Sequence, residues 1–193
     1  SGFGSEDAPK GHAGAVPTHF PAKAKHIIYL HMVGGPSQLD LYDYKPQMND
    51  WYDKDLPESV RNGQRLTTMT SGQARFPIAP SKFKFEQAGQ CGMWVTELLP
   101  WTKKVVDDMT FVRSMYTEAF NHHPGQLLLM TGSVQFGRPT MGAWVTYGLG
   151  SESKNLPGFV VLSSGVGTSG GASNFMSGFM PSHYQGTLFR NSG

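Results

Sequence analysis

The sequence predicts an α/β fold, a mostly parallel sheet with helices on both faces. Three observations carry that expectation. Residues 25–33, 109–115 and 158–164 are short apolar runs rich in β-branched residues, the pattern of buried strands. Segments with helical spacing of apolar residues lie between them. Each run ends in a loop rich in glycine or polar side chains, at residues 34–40, 116–124 and 164–186. In such sheets ligands collect beyond the carboxyl ends of the strands, where these loops fall.

Residues 1–23, rich in Gly, Ala and Pro, read as a flexible leader. The run 25–33 is apolar on both faces and reads as a central strand, stopped by Gly34-Gly35-Pro36. Residues 41–90 show weak periodicity and read as an irregular excursion with a short helix near 57–62. Val95, Leu98, Leu99, Val105 and Val106 recur at helical spacing, with Thr96 as a plausible N-cap and Pro100 in or just after the first turn. A helix is expected over 124–130. Another is expected after Pro139, stopped by Gly148 or Gly150.

The 193 residues suffice for one sizeable domain. Hydrophobic content of 38% and charged content of 16% are low, and 24 Gly with 13 Pro fill the difference, so long loops follow. A net charge of +2, evenly spread, argues against a nucleic-acid partner. The single cysteine, Cys91, excludes an internal disulfide and a cysteine zinc cluster, and it reads as an incidental thiol. No apolar run approaches the roughly 18 residues of a transmembrane helix.

Three segments could carry chemistry. In "GGPSQLDLYD", the Gly34 and Gly35 amides could hold an anion, and Asp40 and Asp43 could offer oxygen to a hard cation. A tight turn with a capping aspartate explains the same residues. The spacing is not that of a phosphate loop. In "EAFNHHPGQLLLMTG", Asn121, His122 and His123 stand ahead of a helix. Imidazoles there could bind a metal or act as bases, or the trio could simply cap the helix. Asn174, His183, Tyr184 and Gln185, in a Gly/Ser-rich stretch, could line a pocket for a hydroxyl-rich ligand or belong to a mobile loop.

The stretches "HIIYLHMVGGPSQLDLYDYKP", "GMWVTELLPWTKKVVDDMTFVRSM" and "TEAFNHHPGQLLLMTGSVQFGRPTMGAWVTYGLGSESKNLPGFVVL", with "GASNFMSGFMPSHYQGTLFR", resemble a bacterial family described as domain of unknown function 1501, abundant in planctomycetes. The resemblance covers nearly everything after the leader. Members look like relatives of sulfatases and alkaline phosphatases, usually begin with a twin-arginine export signal and run longer than this chain. The resemblance therefore implies a sulfatase-like α/β fold present as its N-terminal part, over residues 24–193, and an extracytoplasmic location. The central strand 25–33 is then expected to lack neighbours in the isolated chain.

Sulfatases carry a Cys or Ser, then x-Pro-Ser-Arg, ahead of an apolar run ending Thr-Gly. Here Pro124 and Thr131-Gly132 match that pattern at the same spacing. The nucleophile position falls on His122, and the Ser and Arg positions fall on Gly125 and Gln126. Histidine cannot become formylglycine, so the usual sulfatase chemistry is not expected. Paired aspartates that sulfatases place after the first strand are replaced by Gly34-Gly35.

Two functions follow from the resemblance. One is a metal-dependent hydrolase of sulfate or phosphate esters, with a substrate of polysaccharide type. Asp40 and His123 would then hold a divalent metal, His122 would act as base or nucleophile, and Asn121 with the Gly34 and Gly35 amides would hold the anion. The other is a non-catalytic scaffold that binds a glycan, or a cytochrome-containing surface protein, with Asn174 and His183 among its binding residues.

Overall fold

The computed structural model describes residues 19–190 except 22, 33, 154, 164–166 and 168. The predicted leader 1–23 lies largely outside the described residues. The chain is mixed α/β and divides into two compact units. One is Gly35–Tyr116. The other combines the described residues of 1–34 and 117–193.

In the unit Gly35–Tyr116, strands β1 (Phe85–Ala88) and β2 (Met93–Thr96) pair antiparallel, with Phe85 opposite Thr96 and Ala88 opposite Met93. Met93 and Val95 bury with Val106, and Tyr42, Ala88, Leu99 and Phe111 close over them. The alternation of Met93 and Val95 is strand periodicity. It decides against the expected helix there. After Thr96 the chain makes only two short 3-10 turns, Thr102–Lys104 and Val106–Asp108. Thr96 is a buried strand end rather than a helix cap. The predicted helix near 57–62 is present as α1 (Glu58–Arg61), closed by Asn62 in the left-handed region.

In the other unit, α2 (His122–Thr131) and α3 (Met141–Leu149) fall where helices were expected. Strands β3 (Val160–Ser163) and β4 (Thr187–Arg190) pair in parallel, Val160 opposite Thr187. Gly142 in α3 leaves room for the Phe159 ring, which rests where a side chain would otherwise stand. That contact seats the start of β3 on α3. Tyr147 meets Tyr184 edge-on at 5.4 Å, so the turn Ser182–Tyr184 also packs on α3.

Two expected strands are absent. The described residues of 25–33 join neither sheet, and Ile28 and Leu30 are 83% and 87% exposed. Burial and hydrogen bonding of a strand come from its neighbours, and the described residues supply this run with neither. Residues 109–115 likewise form no strand. Phe111 turns onto the core against Tyr42, while Val112 and Met115 stay exposed. Among the described residues each sheet therefore has two strands, and only β3–β4 is parallel. No helix among the described residues is long and apolar enough to cross a membrane.

Candidate functional site

The site is built on the first turns of α2. Asn121 is extended at φ −121° and ψ 149°, and its side-chain oxygen accepts the His123 amide proton over a long 3.4 Å. That is an N-cap. Pro124 sits in the first turn, where a missing amide proton costs nothing. Gly132, left-handed at φ 75°, closes the helix. Thr131 returns its hydroxyl to the Leu127 carbonyl at 2.8 Å.

His122 is exposed and His123 is half-buried. The adjacent pair thus splits, one ring toward solvent and one inward. His123, Gln126 and Leu127 occupy positions i, i+3 and i+4, one face of the helix. Against α2 packs the 3-10 turn Gly171–Asn174. His123 Nε2 lies 3.1 Å from Ser173 Oγ. The Ser173 hydroxyl donates to the Gly170 carbonyl at 2.8 Å, so toward His123 it accepts. That contact calls for a hydrogen on His123 Nε2; in the neutral ring Nδ1 would then be the acceptor. Phe136 meets the imidazole at 63°, with centroids 5.3 Å apart.

Deeper in, Asn174 is 5% exposed. Its Nδ2 donates to Gln126 Oε1 at 3.2 Å and to the Ser169 carbonyl at 2.9 Å. A carbonyl can only accept, so these bonds fix the amide's orientation. Asn174 Oδ1 is buried and has no partner among the described residues. Gln126, Ser173 and Asn174 are all buried.

The structure therefore gathers Asn121, His123 and Asn174 around one helix start and leaves His122 on its outer surface. His183 belongs to a separate turn, its ring tilted 44° against that of Tyr184 with centroids 3.9 Å apart. Gly34 and Gly35 both take positive φ, 90° and 62°, as a tight turn requires. Asp40 closes a 3-10 turn in the unit Gly35–Tyr116, with its amide bonded to the Ser37 carbonyl at 3.0 Å. Among the described residues no group of three or more His, Cys, Asp or Glu side chains stands ready to hold a metal ion. The expected ligands Asp40 and His123 fall in different units.

Sequence reasoning missed Ser173, Gln126 and Gly170. Gln126 carried a readable signal, because it lies one helical turn from His123. Ser173 and Gly170 carried none, since their partner is about fifty residues away.

No curated protein and no solved structure matches the chain. A family model described as "Protein of unknown function (DUF1501)" matches residues 24–193, and the chain belongs to that family.

Proposed function

We propose that the chain is a binding unit for a hydroxyl-rich ligand of glycan type, held at the start of α2. The observation that supports this reading is the buried polar set Gln126, Ser173 and Asn174 with His123 at its rim. Burying polar groups costs free energy unless they are bonded, and the unbonded Asn174 Oδ1 leaves about 1–3 kcal/mol outstanding. Such retained polar groups favour a polar ligand over apolar packing, and His123 at the rim is the group of this set that a ligand hydroxyl reaches first. Glycan-array binding by the natively purified protein, lost in Asn174→Ala and His123→Ala variants that still fold, tests it. Silence across a broad array removes the glycan reading.

The second reading is hydrolysis of a sulfate or phosphate ester at the same place. It is favoured by the 3.1 Å approach of His123 to Ser173 and by the match of Pro124 and Thr131-Gly132 to the sulfatase pattern. In it the full protein has a sulfatase-like sheet and works outside the cytoplasm. The divalent metal it calls for would draw on His123 here; Asp40, the other expected ligand, belongs to the unit Gly35–Tyr116. Elemental analysis of the natively purified protein beside an Asp40→Ala, His123→Ala double variant decides. A stoichiometric metal lost in the variant, with ester turnover lost in His122→Ala, would carry this reading past the first.

A further inference from the structure

The turn that closes α1 carries the one Asn-Gly pair of the sequence, Asn62-Gly63. An asparagine side chain is an amide, and the backbone nitrogen of the next residue can attack its carbonyl carbon. A side chain on that next residue crowds the attack, and glycine has none. The sequence makes the pair reactive, and the fold decides whether the reaction is held back.

Here the fold leaves the pair open. Asn62 and Gly63 are both exposed, and both take positive φ, 44° and 66°, as a left-handed helix end requires. A Cβ at Gly63 would meet nothing within 4 Å, so open space lies on that side of the turn. Among the described residues neither the Asn62 side chain nor the Gly63 amide forms a hydrogen bond. Two backbone bonds tie the turn, from the Asn62 amide to the Glu58 carbonyl at 2.7 Å and from the Gln64 amide to the Arg61 carbonyl at 2.9 Å. Helix α1 has only four residues and buries none of them, so those bonds open at little cost. Other asparagines are held. Asn49 Nδ2 donates to the Pro46 carbonyl at 2.9 Å, and Asn174 is buried.

We propose that Asn62-Gly63 is a self-modification site, where the chain converts its own amide into an aspartyl or isoaspartyl link. The Gly63 nitrogen gives up its proton to solvent hydroxide and bonds to Asn62 Cγ. The Cγ–Nδ2 bond breaks, and Nδ2 takes a proton from water and leaves as ammonia. Water then opens the resulting succinimide ring at either carbonyl. Opening at the side-chain carbonyl gives aspartate, and opening at the backbone carbonyl routes the chain through the side chain as isoaspartate. Either product sets a carboxylate at the carbonyl end of α1, one helical turn from Glu58, where a negative charge is unfavourable. The proposal does not depend on the α2 site, which lies in the other unit.

Incubation of the full chain in mildly alkaline buffer tests it. Peptide mapping by mass spectrometry reads the exchange of amide nitrogen for oxygen at each asparagine, and isoaspartyl methyltransferase labels the rearranged product. Conversion at Asn62 should run at least about tenfold ahead of that at Asn49. It should also stay within about tenfold of the Asn62 rate in the urea-unfolded chain, because the fold does not restrain the pair. Gly63→Ala should slow conversion by about tenfold or more, and Asn62→Gln should remove the isoaspartate label. Thermal unfolding certifies both variants as folded, and the comparison of folded with unfolded wild type needs neither. A folded chain that converts more than about tenfold slower than the unfolded one overturns the proposal, since the turn would then be protected. So do equal rates at Asn62 and Asn49, or a label undiminished in Asn62→Gln.

Discussion

His123 and Ser173 lie fifty positions apart in sequence, yet the imidazole Nε2 and the serine Oγ stand 3.1 Å apart. This bond ties the first turn of α2 to the turn Gly171–Asn174 that covers it. A hydrogen bond of this kind contributes about 0.5–1.5 kcal/mol net. A double-mutant cycle of His123→Ala and Ser173→Ala in urea unfolding should return a coupling of that size. Nitrogen-15 spectra should also show His123 protonated on Nε2, because Ser173 spends its own proton on Gly170. A coupling near zero, with the proton on Nδ1, would mean the pair does not form in solution.

Gly170 makes that pair feasible. Its φ is +93°, and a Cβ there would run into the His123 imidazole at Cδ2 and Nε2. Gly170→Ala should therefore cost about 1–3 kcal/mol and break the His123–Ser173 bond. Gly171 is the control. Its φ is also positive, at +52°, but a Cβ there meets nothing within 4 Å. Gly171→Ala should cost only the backbone term, about 1 kcal/mol. Equal losses in the two variants, measured by thermal unfolding, would show that the imidazole contact is not what Gly170 protects.

The elements that could be read from sequence are those whose ends are written locally. Asn121, Pro124 and Gly132 bracket α2, and Pro139 with Gly150 bracket α3. The stretch 93–108 misled because Val95 and Val106 both bury, in a strand and in a 3-10 turn, while their spacing imitates one helix face. The run 25–33 has the composition of a buried strand, but composition cannot supply the strand beside it. The site followed the same rule. His123 and Asn174 stood out as residue types with chemistry, and Gln126 lay within one helical turn. The Ser173 hydroxyl and the room left by Gly170 depend on contacts that no local pattern encodes.

Asp107 predicts a pH response. Its carboxylate accepts the Gln90 amide proton at 2.9 Å and the Cys91 amide proton at 2.9 Å, holding the turn between β1 and β2. Those two bonds, in that order, with a smaller contribution from the Cys91 side chain, hold its pKa below the usual carboxylate value. A carboxyl whose pKa is depressed by folding stabilises the native state above its unfolded pKa, about 3.9. That contribution is lost as the pH falls through the lower native value. Asp107→Asn should thus melt below the wild type near about pH 7, and the gap should close as acid drops below about 3.9. A gap that persists unchanged into acid would assign the loss to geometry rather than to the charge.

Gly142 sets two effects against each other within α3. Replacing a helical glycine with alanine should stabilise by about 0.5–1 kcal/mol through backbone entropy. Here the new Cβ would strike the Phe159 ring, and overpacking of that kind costs about 1–3 kcal/mol. The collision should win, so Gly142→Ala is expected to lower the melting temperature. Gly148→Ala, in the same helix with open space around its Cβ, should raise it. Pairing Gly142→Ala with Phe159→Leu separates the two effects, because the smaller side chain relieves the contact and leaves the entropy gain. Partial recovery in that double variant would locate the cost at the Phe159 ring. A further loss, roughly the sum of the two single changes, would mean that the ring and the helix do not meet as closely as the contact between β3 and α3 requires.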